Sequence, residues 1–464
     1  MKHVFKTKEE IIKKADEIVG KSLADVLSIQ DIKNIQKNLN KYNLNRKGYL
    51  GQIIEEFFFN IKPGNVSRPD FLEVGIELKT NPIKINSRGE YVSKERLVFS
   101  MIDYNSIVNE KWDSSSFLSK NEFLLIMFYL WEKDLNILDY KFKFNFFLKL
   151  LEDISKEDMY QIKQDWEFIK SKIKKGEAHL LSEGDTFYLG ACTKAANSLV
   201  LRSQPNTSIQ AKPRAFSLKQ QYLNLLIQTK TSSKLLNNKS LSLVKKSENI
   251  EEGTRKVFAA YIKRTDKEIL ESLKETVNPQ AKNYKRLIVN KILGLKDNQK
   301  ILEFEKANIT LKVITLESSG VLKESISFPA FNYNNLIKQE WCNLENENIS
   351  DLYKQLDTKK FLFIIFKKIK NSKDIILHNV LFWNFPAEDL IEAEKVWIKT
   401  KNCIKNGEYD NLPKMKDSYA VHVRPHGKNA LDVQETPQKT KEIKRCFWIN
   451  AKYIQSVIER ANLN

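Results

Sequence analysis

The sequence has few of the side chains that bind transition metals or form disulfides. Its four cysteines lie far apart and form no Cys-x-x-Cys pair: Cys192, Cys342, Cys403 and Cys446. This spacing argues against a zinc ribbon and a disulfide framework. The five histidines form no His-Glu-x-x-His motif. His422 and His426 have helical ligand spacing, but they lie in a strand-like stretch, so we expect them on the surface. Any catalytic metal should therefore be held by oxygen ligands.

A long apolar run is also missing. No stretch approaches the roughly 20 residues that span a bilayer. The start, MKHVFKTKEEIIKKAD, has no apolar core of a signal peptide. We therefore expect a soluble, cytoplasmic protein that does not bind a membrane.

Acidic residues are outnumbered by basic ones. Lys and Arg total 77 against 58 Asp and Glu, a formal net charge of +19. A folded protein this basic is expected to bind a polyanion. The alternative is a lysine-rich proteome encoded by an AT-rich genome, because Lys, Asn and Ile are all abundant. With 42% apolar and 29% charged residues the composition is globular, and 464 residues favour two domains.

The chain repeats itself. The segment FSMIDYNSIVNEKW (99–112) recurs 229 residues later as FPAFNYNNLIKQEW (328–341). The segment PRAFSLKQQYLNLLI (213–227) recurs 231 residues later as KRCFWINAKYIQSVI (444–458). Such a constant offset predicts two copies of one domain, 1–228 and 251–464, each of ordinary size. Residues 229–250, rich in Ser, Lys and Asn, are predicted to be a linker.

Helices and strands alternate in the first copy. Helical apolar spacing covers 8–40, and YLGQIIEEFFF (Tyr49–Phe59) predicts a second helix with a buried stripe. The remaining predictions are a strand–turn–strand over 70–80, strands at Leu97–Met101, Phe123–Leu130 and Asp185–Ala191, and a helix at Gln161–Lys175. This mixture predicts an α/β fold, in which helices flank a parallel or mixed sheet.

One short segment carries the residues for phosphodiester hydrolysis. PDFLEVGIELK (69–79) places acids at Asp70 and Glu77 and a base at Lys79. Residues two apart on a strand share a face, so Glu77 and Lys79 should project together while Ile76 and Leu78 face the core. A tight turn at Gly75 would bring Asp70 to the same face.

Carboxylates in such a cluster can hold Mg²⁺, which polarises the phosphoryl group and helps to ionise the attacking water. The ammonium of Lys79 can orient or deprotonate that water. Glu55, on the helix just upstream, could complete the metal shell. The alternative for this pattern is a solvated strand edge, because a similar string occurs by chance in lysine-rich chains.

Several segments, in order, resemble one family. KGYLGQIIE (47–55), DFLEVGIELKT (70–80), QDWEFIKSKIKKGE (164–177), DTFYLGACTKAAN (185–197) and PRAFSLKQ (213–220) resemble the MutH mismatch-repair nicking enzymes. They resemble still more the Sau-type GATC restriction endonucleases, which carry two MutH-like domains in one chain. The resemblance implies a restriction-endonuclease-like fold, present twice in tandem, with a PD-(D/E)xK active site.

The resemblance also implies residue roles. Asp70 and Glu77 would bind Mg²⁺ with Glu55 in support, and Lys79 would act on the water. Lys194 falls where the family has a lysine that contacts DNA, although Cys192-Thr193 replaces the family's Arg-Pro before it.

At Ser217 the repair enzymes carry a tyrosine thought to sense adenine methylation, so its absence favours a restriction role over repair. Major-groove contacts to guanine need Arg or Lys, and those to adenine need Asn or Gln. By residue type and context the candidates for double-stranded DNA contacts are Lys194, Asn197, Arg202 and Arg214, each of which could equally touch a phosphate.

The second copy is predicted to be catalytically inactive. Glu303 aligns with Asp70 and Lys312 with Lys79, but Thr310 replaces Glu77. RLIVNKILG (286–294) offers no carboxylate in place of Glu55. Basic residues persist in VHVRPHGKNA, which includes Arg424 and Lys428.

We therefore expect a DNA-binding or regulatory second domain, unless it only packs against the first copy. The whole chain is predicted to be a Mg²⁺-dependent type II restriction endonuclease acting at a short palindrome, GATC by resemblance. With one active catalytic site, the enzyme would cut one strand at a time or dimerise on DNA to cut both strands. The alternatives are a mismatch-repair nickase and a non-cleaving DNA-binding regulator.

Overall fold

The chain divides into two compact units. The computed structural model describes residues 4–42, 48–61, 68–194, 199–231, 240–244, 248–342 and 348–462. Unit 1 comprises Met1–His179 and Phe187–Asn238, and unit 2 comprises Leu180–Thr186 and Lys239–Asn464. Among the described helices, none combines the length and apolar character needed to cross a membrane.

The helices and strands of unit 1 alternate along the chain, as in an α/β fold. Its described elements are α1 (Lys8–Asp16), α2 (Leu23–Val26), α3 (Ile29–Tyr42), α4 (Tyr49–Ile53), β1 (Glu77–Ile85), β2 (Tyr91–Ser93), β3 (Leu97–Met101), α5 (Ser116–Asn121), β4 (Phe123–Leu130), β5 (Phe142–Lys149), α6 (Leu150–Asp153), α7 (Lys156–Lys174), β6 (Leu189–Thr193), β7 (Arg214–Leu218) and α8 (Gln220–Thr231).

Two sheets form the framework of unit 1. The first has the order β2-β1-β4-β5, with β1 parallel to β4 and the other pairs antiparallel. The second has the order β3-β7-β6 and is antiparallel. Strand β4 (FLLIMFYL) is central because five of its consecutive residues are buried, as expected of a strand covered on both faces. The predicted mixed sheet flanked by helices is confirmed.

The predicted helix over 8–40 is broken into α1, α2 and α3. Gly20 has φ +81°, a left-handed conformation that ends the helical path. Ser22 then begins α2 with a capping box that involves Asp25. Leu27, which ends α2, is extended with ψ 155°. Local caps therefore override the apolar spacing that favoured one long helix.

Three other boundaries also differ from the predictions. The helix predicted at Gln161–Lys175 begins earlier, at Lys156, and ends at Lys174. The first strand predicted in 70–80 is reduced to a single bridge between Phe71 and Ile76. The strand predicted at Asp185–Ala191 begins only at Leu189, because Glu183–Asp185 forms a 3₁₀ turn capped by Ser182. The strands predicted at Leu97–Met101 and Phe123–Leu130 have the predicted bounds.

Helix α7 anchors the second sheet of unit 1. Trp166 on α7 is fully buried and meets the ring of Trp112 edge-on at 5.7 Å. The neighbouring Asp165 is 2% exposed, and its carboxylate accepts hydrogen bonds from the backbone N–H groups of Phe187, Tyr188 and Leu189 at 2.6 to 3.0 Å. This carboxylate ties the start of β6 to α7 because it satisfies three otherwise orphaned donors.

Unit 2 contains a corresponding set of elements. They are β8 (Ser240–Leu241), α9 (Ile250–Ala259), α10 (Asp266–Leu273), α11 (Tyr284–Ile292), β9 (Lys300–Ile301), α12 (Leu302–Lys306), β10 (Ile309–Leu316), β11 (Ile326–Ser327), α13 (Tyr333–Leu336), α14 (Asp351–Asp357), β12 (Lys360–Lys368), β13 (Ile375–Asn384), α15 (Leu390–Asn406), β14 (Val421–Pro425), β15 (Val433–Glu435), β16 (Lys441–Ile443), β17 (Arg445–Ile449) and α16 (Ala451–Asn462).

The sheets of unit 2 follow the pattern of unit 1. Strand β10 runs parallel to β12, which pairs antiparallel with β13, as β1, β4 and β5 do in unit 1. The second sheet has the order β11-β17-β14, which corresponds to β3-β7-β6. Two short pairs, β15-β16 and β8-β9, complete the described strands of unit 2.

The unit boundaries differ from the predicted domains 1–228 and 251–464 in two places. The predicted linker 229–250 is divided between the units after Asn238, and one segment of the first predicted domain joins unit 2. Leu180–Thr186 belongs to unit 2. There Lys360 Nζ donates to the carbonyl of Asp185 at 2.8 Å, and Asn384 Nδ2 donates to its carboxylate at 2.9 Å. Parts of the predicted linker 229–250, namely 232–239 and 245–247, lie outside the described residues. These domain boundaries stay a prediction.

Candidate active site

The turn before β1 sets the position of Asp70. Gly75 has φ +71° and donates its N–H to the carbonyl of Phe71 at 2.8 Å, so the predicted tight turn is confirmed. Glycine suits this position because a side chain there would strain the left-handed backbone. The turn brings Asp70 beside β1, where its Oδ2 accepts the N–H of Leu78 at 2.9 Å.

Glu77 and Lys79 lie two residues apart at the start of β1, and their side chains form an ion pair. Lys79 Nζ is 2.6 Å from Glu77 Oε1. Ile76 and Leu78 are buried, as the alternation along the strand predicted. Glu77 itself is only 3% exposed, whereas a solvated strand edge would leave it open. Burial raises the pKa of Glu77 although the ammonium of Lys79 opposes that effect.

Glu55 lies on a π-helical turn. The predicted helix Tyr49–Phe59 begins as α4 and continues as one π-helical turn over Ile54–Phe58. Such turns change the direction of the side chains that follow and occur often at functional sites. Burial raises the pKa of Glu55 to about 7, and the carboxylates of Asp70 and Glu77 raise it further in the same sense. The structure therefore brings the three predicted carboxylates into one electrostatic cluster.

Lys120 joins this cluster and was not predicted. It lies in the last turn of α5, a helix capped by the Ser115 hydroxyl. Lys120 Nζ is 3.5 Å from Glu77 Oε1, so two ammonium groups share one carboxylate oxygen. No local pattern marks this lysine, because α5 and β1 are far apart in the sequence and meet only in the folded unit.

The residues of the cluster fit a divalent cation. Glu77 Oε2 is buried and has no hydrogen-bond partner. Lys79 engages the other oxygen of Glu77, and no group of three His, Cys, Asp or Glu side chains among the described residues is arranged to hold a metal ion. The donor set nevertheless suits a hard cation, which prefers carboxylate oxygens, would use the orphaned Oε2 and would relieve the repulsion that raises the pKa of Glu55.

The predicted DNA-contacting residues of unit 1 differ in accessibility. Lys194 and Arg202 are exposed. Asn197 lies outside the described residues. Arg214, by contrast, is 7% exposed and donates from Nη1 to the carbonyl of Ala191 at 2.9 Å. Its guanidinium joins β7 to β6 within the fold, which corrects the expectation that it faces DNA.

In unit 2 the aligned residues do not form the same cluster. Thr310 pairs with the second residue of β12, as Glu77 pairs with the second residue of β4. Glu303 instead accepts hydrogen bonds from Ser242 Oγ and from the N–H of Leu243 at 3.3 Å. Lys312 donates to the carbonyl of Ser327 at 3.3 Å.

The predicted basic contacts of unit 2 are exposed. Arg424 lies over the ring of Trp448, 5.0 Å from its centroid. Lys428, four residues further along the chain, is also exposed. His426 is also exposed, as predicted. The surface position expected for His422 is wrong, because this side chain is fully buried and its Nδ1 lies against the amide oxygen of Asn450.

Comparisons with known proteins agree with this geometry. Residues 59–165, which include Asp70, Glu77, Lys79 and Lys120, match the family model described as DNA mismatch repair enzyme MutH. The chain is 32% identical to the type II restriction enzyme Sau3AI of Staphylococcus aureus, over 98% of this chain and 99% of that enzyme.

Two repair proteins match about half of the chain. The DNA mismatch repair protein MutH of Shewanella woodyi is 29% identical over 47% of this chain and 89% of its own length. MutH of Vibrio vulnificus strain YJ016 is 25% identical over 51% of this chain and 99% of its own length. Enzymes of this kind act on DNA and generally use a divalent metal ion. The near-complete match over both units shows that the chain belongs to the MutH-like type II restriction endonucleases and is a site-specific deoxyribonuclease.

Proposed function

We propose that unit 1 cuts DNA with a PD-(D/E)xK active site made of Asp70, Glu77 and Lys79, supported by Glu55. The observation that carries the proposal is the buried Glu77, which has one oxygen on Lys79 and the other without a partner. A structural ion pair would be expected to satisfy both oxygens, because an orphaned buried carboxylate oxygen is costly. In a catalytic carboxylate, by contrast, an oxygen without a protein partner is available to bind a metal ion.

The cofactor we propose is Mg²⁺, held by Asp70, Glu77 and Glu55. When bound, it would polarise the scissile phosphoryl group and lower the pKa of the attacking water. Glu77 and Glu55 must both be ionised to serve as ligands, and burial opposes that ionisation in each of them. The ammonium groups of Lys79 and Lys120 favour the ionised form of both carboxylates.

We assign Lys79 the handling of the attacking water. Its side chain is 16% exposed, so it is shielded but still reachable from solvent. From this position its ammonium can hold a water at the phosphate and add positive charge where the transition state gathers negative charge. Lys120 is also 16% exposed. It would keep one oxygen of Glu77 paired while the ammonium of Lys79 moves from Glu77 to the attacking water.

The proposed target is the duplex sequence GATC, which the protein would meet in the cytoplasm. The resemblance to GATC cutters supports this sequence. Lys194 and Arg202 are the proposed contacts to DNA in unit 1, and both are exposed. Asn197 remains a proposed base contact by residue type alone.

We propose that the two units are copies of one ancestral domain and that unit 2 does not cut. The constant offset of the repeated segments and the matching strand orders support the duplication. Thr310 in place of Glu77 removes the central ligand, and Glu303 is engaged by the loop that contains Ser242. Unit 2 keeps exposed basic residues at Arg424 and Lys428, which supports a DNA-binding role.

Plasmid digestion by the purified full-length protein tests the proposal. Discrete fragments with Mg²⁺, whose sequenced ends fall at GATC, are expected for restriction, and none with EDTA. Accumulation of nicked circles would instead indicate a repair-type nickase. A mobility shift without cutting would favour a regulator and overturn the proposal.

Variants then test the residues. Glu77→Ala and Lys79→Ala should each abolish cutting and leave DNA binding intact, whereas normal cutting by both would refute the assignment. Lys312→Ala, the aligned lysine of unit 2, should still cut. Whether both strands are cut by one chain or by a pair on DNA follows from the dependence of the cutting rate on protein concentration.

A further inference from the structure

One face of unit 2 gathers cationic side chains where unit 1 has its active site. Lys312 aligns with Lys79 and pairs with Phe363 of β12, as Lys79 pairs with Ile126 of β4. In unit 1 the ammonium groups of Lys79 and Lys120 are neutralised by Glu77. In unit 2 a threonine, Thr310, stands at that register, so the carboxylate that neutralised the cations is lost.

No other carboxylate replaces it among the described residues. Lys312, Lys359 and Arg424 form no ion pair with a described acidic side chain. The nearest aligned acid, Glu303, is itself buried and is held by Ser242 Oγ and by the N–H of Leu243. The three cations therefore lack a protein counter-ion within the part of the chain that the structure describes.

Strand register and cross-strand contacts place these cations. Lys359 immediately precedes β12, so alternation puts it on the side of the sheet that Thr310 and Lys312 share with Phe361 and Phe363. Lys312 Nζ donates to the carbonyl of Ser327, and Ser327 pairs with Trp448 in the second sheet of unit 2. Arg424 lies over the ring of the same Trp448 at 5.0 Å. Arg424 itself pairs with Cys446, so the strand that Lys312 contacts and the strand of Arg424 flank β17 on its two sides.

Burial makes the charged form of the lysines on this face unfavourable unless an anion binds nearby. Burial lowers the pKa of Lys312, and burial together with the ammonium of Lys312 lowers the pKa of Lys359. The adjacent Cys446 thiol supplies no charge, because burial raises its pKa to about 12. Two half-buried ammonium groups that repel each other are typical of a site completed by an anionic ligand.

We propose that Lys312, Lys359 and Arg424 form a metal-independent binding site for a backbone phosphate of DNA. The proposal rests on the proposed function, because it takes DNA as the ligand of unit 2. Unit 1 needs a divalent cation between its carboxylates and a phosphate, whereas unit 2 meets the phosphate with ammonium and guanidinium groups directly. The degenerate copy would therefore have lost catalysis and gained a phosphate anchor through the same substitution, Glu to Thr at 310.

The site predicts DNA binding without metal. A short GATC duplex and the full-length protein in EDTA are titrated at several salt concentrations, where no cutting occurs. Each lost phosphate contact should reduce the slope of log affinity against log salt by about 0.9. The double variant Lys312→Met/Lys359→Met should show that smaller slope and bind about tenfold more weakly at low salt.

Lys452→Met is the matched control, because Lys452 is an exposed lysine on α16 of the same unit. It should leave both the slope and the affinity unchanged. An unchanged slope and affinity in the double variant would overturn the proposal. If the wild-type protein still cuts with Mg²⁺, that failure concerns the phosphate site alone and not the proposed catalytic function.

Thermal unfolding separates lost binding from lost folding. Removing uncompensated half-buried charges should raise the unfolding midpoint of the DNA-free double variant, or leave it unchanged, while binding falls. A lowered midpoint together with lost binding would mean that the lysines support the fold, and it would overturn the proposal. Arginine at both positions should keep the salt slope of the wild type, since it keeps both charges.

Discussion

Replacing Glu55 by glutamine should stabilise the metal-free protein in alkaline but not in acidic solution. Burial and two nearby carboxylates raise the pKa of Glu55 from 4.5 to about 7. Between these values the folded protein keeps a proton that the unfolded chain has lost. The free energy of unfolding therefore falls as pH rises from about 4.5 to 7, and the loss remains at higher pH.

The size of this effect follows from the pKa values. The rise from 4.5 to about 7 corresponds to about 3 kcal/mol at high pH. Glu55 is partly exposed, and solvent screening reduces the expected effect to about 2 kcal/mol. Glutamine has a similar shape and no charge to bury. The gain in stability of Glu55→Gln over wild type should thus be about 2 kcal/mol larger at pH 8 than at pH 5.

Urea-induced unfolding in EDTA at pH 5 and pH 8 measures this difference, with hydrogen exchange of unit 1 as a local check. Glu56→Gln is the matched control, because Glu56 is the exposed neighbour on the same π-helical turn. The same gain at both pH values, or an equal pH dependence in Glu56→Gln, would refute the reasoning. With saturating Mg²⁺ at pH 8 the wild type should be more stable than Glu55→Gln, because only the wild type has the complete set of metal ligands.

Three further predictions concern the same unit. Glu77→Gln should lower the single-turnover cleavage rate at least about 1000-fold, because Lys79 and Lys120 lose their shared carboxylate and the metal loses a ligand; a smaller loss would contradict the proposed role. As the pH falls below 7, the Mg²⁺ concentration for half-maximal cleavage should rise by up to about tenfold per pH unit, since Mg²⁺ must displace the proton of Glu55. Above pH 7 this concentration should be constant. Equal values at pH 6 and pH 8 would contradict the prediction. Asp165→Ala should lower the free energy of unfolding by at least about 3 kcal/mol, because three buried backbone N–H groups lose their acceptor. Urea-induced unfolding measures this loss, and Asp153→Ala, which removes an exposed carboxylate, should lower the free energy of unfolding much less.

The proposed phosphate site would give the two related units different roles on DNA. A palindrome is normally read by two equivalent modules, and one chain with two related units can supply both. A second metal site would add a second cutting centre, whereas a phosphate site adds affinity without chemistry. Under the proposal, threonine at 310 where unit 1 has Glu77 would change the preferred ligand at this strand register from a cation to an anion.

Local features of the candidate active site were predictable from the sequence. Strand alternation placed Glu77 and Lys79 on one side and Ile76 and Leu78 in the core, because the period of two depends only on neighbouring backbone geometry. Gly75 marked the turn because its left-handed φ is open to glycine. The strands Leu97–Met101 and Phe123–Leu130 followed from apolar composition alone.

Other features depended on packing between distant segments. Lys120 reaches Glu77 from a helix more than 40 residues along the chain, and no pattern in the sequence joins them. The burial of Arg214 and His422 is equally a property of the assembled sheets, since the same residues in an isolated strand would be exposed. Helix predictions failed at Gly20, where a local backbone conformation overrides apolar spacing.

The sequence by itself determined the charge, the repeat, and the acidic and basic residues of one strand–turn segment, because these are composition and short-range geometry. Only the tertiary structure decided how deeply Glu77 is buried, which of its oxygens is left without a partner, and which lysines surround it. It also decided that Lys312 contacts the carbonyl of Ser327 and that Arg424 lies over the ring of Trp448, on the neighbouring strand. Burial and pairing arise from contacts between residues far apart in the chain. Those contacts set the electrostatic free energy on which the proposed metal and phosphate binding depend.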